Sequence, residues 1–159
     1  IVAYMNSSSP YADTSGWAQT TARFRWHGEP EYTEVDGSLT ATVSSPRVTP
    51  AVSVDMPRWS PTDPAIRDAW STTMAELRAH ETRHEEIAAT WETTLLGRLS
   101  ALSVPMASRD RAAFTTAVQG HWDAWLADHQ ADQLLIDPFY ATFTCPTPIE
   151  EPEAAPAPE

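Results

Sequence analysis

Two histidines four residues apart flank a glutamate in the run ELRAHETRHEEIAATW, residues 76 to 91, of a chain with five histidines in all. On an α-helix, His80 and His84 would share one face with Cβ atoms about 5 to 6 Å apart, so both imidazoles can turn toward one ion. Glu81 would sit about 100° round the helix, close enough to reach a water on that ion. The chemistry this pattern suits is hydrolysis. Two neutral imidazoles hold Zn²⁺, the pKa of a bound water falls toward about 7, and the carboxylate takes the proton as the oxygen attacks a carbonyl. A buried hydrogen-bonded histidine pair and a surface coincidence are the competing readings. The surrounding pattern argues against the surface coincidence, because Leu77, His80, His84, Ile87 and Trp91 fall on one helical stripe. Inward-facing imidazoles beside a carboxylate are costly unless something satisfies them.

A catalytic zinc needs a third protein ligand and one open position. Glu85, Glu86 and Glu92 fall off the stripe, so the third ligand is expected further along the chain. His129 ends a second apolar-periodic run, HWDAWLADHQAD, on the face that also carries Val118, Trp122 and Trp125. An antiparallel helix pair would return it over His80 and His84, with Asp128 and His121 as competitors on nearly the same face.

The elements that must present these residues are legible from periodicity. WAQTTARFRW alternates in its second half, with Ala22, Phe24 and Trp26 on one side and Thr21, Arg23 and Arg25 on the other, which is a strand with one wet face. Asp36-Gly37 is a turn signal. SLTATVSS and RVTPAVSVDMP then suggest two further strands, the second confined to an edge or bulge by Pro50. At SPTDPAIRDAW the period changes: Asp63 suits an N-cap and Pro64 the first helical position. A stripe through Ile66, Trp70, Met74, Leu77, Ile87, Trp91, Leu95, Leu99 and Leu102 predicts one helix of more than thirty residues. A second helix is expected from an N-cap near Ser108 to about Gln133, antiparallel to the first across a short link. The expected fold is therefore α+β: a small antiparallel sheet, the long His-Glu-x-x-His helix and a second helix. Residues 1–145 form one domain in this reading, and PTPIEEPEAAPAPE, with residues 146–159, is a disordered tail or linker rich in Pro, Glu and Ala.

Composition bounds the partners. A chain of 159 residues buries enough surface to fold without a metal or disulfide, so a metal would serve function. The formal charge is −12 and all ten basic residues are arginines scattered singly, which disfavours nucleic acid and anionic membrane as partners. No apolar run is long enough to span a bilayer. The start on Ile-Val, without a basic n-region or apolar h-region, suggests a processed or trimmed chain. Cys145 is the only cysteine, which rules out a disulfide within the chain. The helical tryptophans Trp70, Trp91, Trp122 and Trp125 suit core positions, whereas Trp17, Trp26 and Trp59 are open to a substrate groove.

The run DMPRW, a Trp in the next helix, then Leu, two residues and His-Glu-x-x-His, resembles the bacterial family of predicted secreted zinc-dependent proteases, a domain of unknown function. The resemblance covers about residues 17 to 133. WDAWLADHQ is similar to that family's Tyr-Asp, Thr, His-Gly pattern, with Trp122-Asp123 one residue out of step, Gln130 in the glycine's place, and His129 at the family histidine. The resemblance implies an extracytoplasmic or secreted zinc metalloendopeptidase acting on a peptide or protein, with Glu81 as general base and His80, His84 and His129 as ligands. The strand ending at Met56-Pro57 is expected to bind extended substrate by strand addition. The alternative is a catalytically inactive zinc-binding relative serving as an interaction module.

Overall fold

A computed structural model describes residues 17–137 together with Phe139 and Phe143. Residues 146–159 and Cys145 lie outside the described residues, as does the Ile-Val start. The elements in chain order are β1 (Gln19–Val35), β2 (Ser38–Asp55), α1 (Pro64–Ala101), β3 (Ser103–Met106) and α2 (Arg111–Leu134). The architecture is α+β, with a three-stranded antiparallel sheet ordered β1-β2-β3 and two helices on one of its faces.

β1 and β2 form one long hairpin closed by the two-residue turn Asp36-Gly37, both with positive φ (49° and 77°), which suits a type I′ turn. The two strands expected after this turn are one strand. Its ladder survives an irregularity where Ser45 and Pro46 stand opposite the single residue Gly28. Ser45 takes a positive φ of 51° there, so β2 bends without breaking. Gly28 is required by close approach: a Cβ on it would lie 2.3 Å from Val43 Cγ1 and 3.0 Å from the Ser44 carbonyl oxygen. Pro50 pairs with Phe24 on β1, and β3 reaches only Leu39 to Thr42, so β2 is an edge at Pro50 as its missing N–H requires.

The third strand comes from the inter-helix link. Ser103–Met106 pairs antiparallel with Leu39 to Thr42, and Val104 enters the core. Four residues with a proline are too short to show a period, and β3 tolerates Pro105 because it is itself an edge.

α1 starts as its sequence dictates, with Asp63 Oδ1 accepting from the Ile66 N–H at 3.1 Å and Pro64 opening the helix. The cap of α2 is Asp110 rather than Ser108, its carboxylate accepting from the N–H groups of Ala112 and Ala113. A carboxylate two residues before the first free N–H groups outcompetes a more distant hydroxyl. The helices run antiparallel, with polar contacts stepping back along α1 as they advance along α2: Arg98 to Asp128, Trp91 to Asp132, His84 to Gln133.

Two apolar clusters weld the layers. Phe24 meets Ala88, Trp91, Leu95 and Trp122, while Ala41 and Val43 meet Leu99, Val104, Phe114 and Val118. Neither cluster includes His80, Glu81 or His84, which continue the buried stripe of α1 beyond the packed core.

Candidate metal centre

The three residues of the motif are buried together, His80 at 6 %, Glu81 at 3 % and His84 at 8 % exposure. They lie in the middle of a 38-residue helix whose position is fixed by packing on both sides of them, through Trp70 and Leu77 before and Ala88, Trp91 and Leu95 after. Burial of this kind demands partners.

The nitrogen pair has one. His80 Nε2 and His84 Nε2 are 3.0 Å apart, and Asp137 Oδ1 completes a triangle at 3.2 Å from the first and 3.5 Å from the second. A tetrahedral zinc with ligands at about 2.0 to 2.1 Å has ligand-to-ligand edges of about 3.3 to 3.4 Å. The observed edges bracket that value, and two imidazole nitrogens with one carboxylate oxygen form a donor set suited to a catalytic zinc with an open position. Among the described residues His80, His84 and Asp137 are the group of His, Cys, Asp or Glu able to share an ion.

Asp137 was not foreseen. It follows the end of α2 by three residues, in irregular chain where no period marks a ligand, and is held over α1 by aromatic contacts of the residues that follow it. Phe139 stacks on the His80 ring at 4.4 Å between centroids, and Phe143 packs edge-on against Trp59 and Trp70.

His129, the expected third ligand, stands near the site and outside the triangle. Its Nε2 lies 2.9 Å from Gln133 Nε2, one turn further along α2, and Gln133 also contacts His84 through Nδ1 and through the backbone oxygen, the latter at 3.2 Å. The amide of Gln133 therefore fills the space between His129 and His84. The His129 ring sits edge-on to Phe24 and Trp91, at 5.1 and 5.9 Å. Burial holds its pKa below the usual 6.5, against the smaller opposing pull of Asp132. The two competitors are elsewhere: Asp128 pairs with Arg98 at 2.8 Å, and exposed His121 lies against Trp125.

Glu81 is oriented from the sheet. Thr20 Oγ1 on β1 donates to its Oε2 at 2.7 Å. The alternation that points Ala22, Phe24 and Trp26 inward extends back to Thr20, so the sequence carried this signal.

These residues line a cleft of about 470 Å³ whose other walls are Trp17 and Ala18, the start of β1 through Ala22, Leu77, Gln130, Leu134 and Phe139. Trp17 belongs to this wall, whereas Trp26 packs in the core and bonds Gln119, and Trp59 joins Trp70 and Phe143. Of the described strands, β1 stands beside the cleft, rather than the chain leaving β2 at Met56-Pro57.

The family described as bacterial protein of unknown function (DUF922) matches residues 1–138. The chain belongs to that family. Its match spans every residue of the DUF922 chain's triangle, including Asp137 at its very end. No curated protein and no solved structure matches the chain. None of the described helices is long and apolar enough to cross a membrane.

Proposed function

We propose that this DUF922 chain is a zinc-dependent metallopeptidase in which His80, His84 and Asp137 hold the ion and Glu81 is the general base. The observation that carries the reading is the triangle of Nε2, Nε2 and Oδ1 atoms, with a buried carboxylate beside it in one cleft. A zinc ion bound there would supply Lewis acidity, lowering the pKa of a water toward about 7 and polarising a carbonyl.

The chain's own residues supply the rest. Thr20 binds Oε2 of Glu81, and no described group binds Oε1, which leaves that oxygen to take a proton from water and pass it to the leaving amine. Among the described strands β1 has a neighbour on one side only, so an extended peptide can add to its outer edge along the cleft as a further strand with main-chain hydrogen bonds. Apart from Glu81 and Asp137 the described walls carry no acid or arginine, so aromatic and apolar contacts at Trp17, Leu77, Leu134 and Phe139 hold the substrate there without charge pairing. The resemblance to predicted secreted proteases extends the proposal to an extracytoplasmic location.

Hydrolysis of an unfolded protein by the zinc-loaded chain tests the reading. Glu81→Gln keeps size and hydrogen bonding but removes the base, so it should retain zinc while the rate falls by about 10² or more. Tight zinc binding without hydrolysis by the wild type would instead support the interaction-module alternative.

A further inference from the structure

We propose that Gln133 is a positioning residue that sets the tautomers of His84 and His129, and thereby selects which of them can bind the ion. The backbone oxygen of His84 can only accept, so the Gln133 atom 3.2 Å from it is the amide nitrogen. The other amide atom, Oε1, can only accept as well, and it faces His84 Nδ1. His84 must therefore carry its proton on Nδ1. Its Nε2 is then a bare lone pair, and that is the nitrogen aimed at His80 Nε2 and Asp137 Oδ1.

The same amide settles His129. Of the two N–H groups on Gln133 Nε2, one goes to the His84 carbonyl and the other points at His129 Nε2, 2.9 Å away. His129 Nε2 accepts it, so a neutral His129 carries its proton on Nδ1 and has no lone pair left for a metal. One buried side chain, 8 % exposed, thus arms one histidine and disarms the other. This also explains why Asp137, and not His129, stands with the pair.

The consequence for the ion rests on the metal-centre reading; the tautomers do not, which allows the two to fail separately. Long-range proton–nitrogen correlation spectra of the imidazoles, recorded on the metal-free full chain above the histidine titration range, should show both His84 and His129 protonated on Nδ1. Neutral imidazole in water favours the opposite tautomer, so the signature is distinctive. Gln133→Leu should lose it at both rings and weaken zinc binding by about 10- to 100-fold, the usual cost of removing a group that orients a ligand histidine. Gln133→Glu keeps an acceptor for His84 Nδ1 but no donor for His129. It should restore the His84 signature and bring zinc affinity to within a few-fold of wild type, with His129 unrestored. A wild-type His84 protonated on Nε2, or a Gln133→Leu protein with unchanged tautomers and zinc affinity, would overturn the proposal. If the wild-type tautomers appear as expected but zinc does not bind, the role of Gln133 in setting them stands and the metal-centre reading fails.

Discussion

Each polar residue of the cleft answers the cost of its own burial. His84 is satisfied by Gln133, Glu81 by Thr20, and His129 by the other side of the Gln133 amide. His129 nevertheless titrates against its surroundings, and this gives a pH dependence with a definite sign. Its folded pKa lies below 6.5 because burial disfavours the charged ring, so the unfolded chain takes up a proton first as pH falls. The contribution is absent as a penalty above pH 6.5, and stability drops below it until the folded ring also protonates. Urea unfolding of chelated protein at about pH 7.5 and about pH 5.5 should therefore show a smaller loss of stability in His129→Gln than in wild type. An equal or larger loss in the variant would contradict a depressed His129. At this scale His80, Glu81 and His84 were legible because helical spacing alone brings them together. Asp137 was not, because it reaches the site from irregular chain anchored by Phe139 and Phe143.

The elements were legible where a period ran long enough. Asp63-Pro64 and the stripe of α1 announced themselves, and so did the Asp36-Gly37 turn. β3 did not, because Ser103–Met106 is defined by its pairing with Leu39 to Thr42 and not by a pattern of its own. The continuity of β2 was hidden by Pro46, which the bulge absorbs with help from Gly28. That bulge makes glycine positions behave oppositely. Gly28→Ala drives a methyl into Val43 and should cost about 1 to 3 kcal/mol. Gly97→Ala and Gly120→Ala meet nothing within 4 Å on α1 and α2 and should each stabilise by up to about 1 kcal/mol. Denaturant midpoints decide it: a Gly28→Ala protein as stable as wild type would mean that the hairpin does not close on Val43 as described.

For the molecule as a whole, the two apolar clusters are distinct from the histidine pair, so folding and metal binding are separable. Chelation should leave one cooperative unfolding transition and lower the Tm by about 5 to 15 °C, the shift expected from a ligand present at 100 to 1,000 times its Kd on a domain of this size. Loss of the cooperative transition on chelation would make the metal structural.

Function in the proposed zinc centre turns on the identity of its third ligand. The direct measurement is zinc stoichiometry and affinity, by elemental analysis and competition with a chromophoric chelator, for wild type, Asp137→Ala and His129→Ala. About one zinc per wild-type chain is expected, with a loss of affinity by orders of magnitude in Asp137→Ala and a change of no more than about tenfold in His129→Ala. A wild type that takes up no zinc, or an Asp137→Ala protein that keeps it while His129→Ala loses it, would rule out the proposed centre.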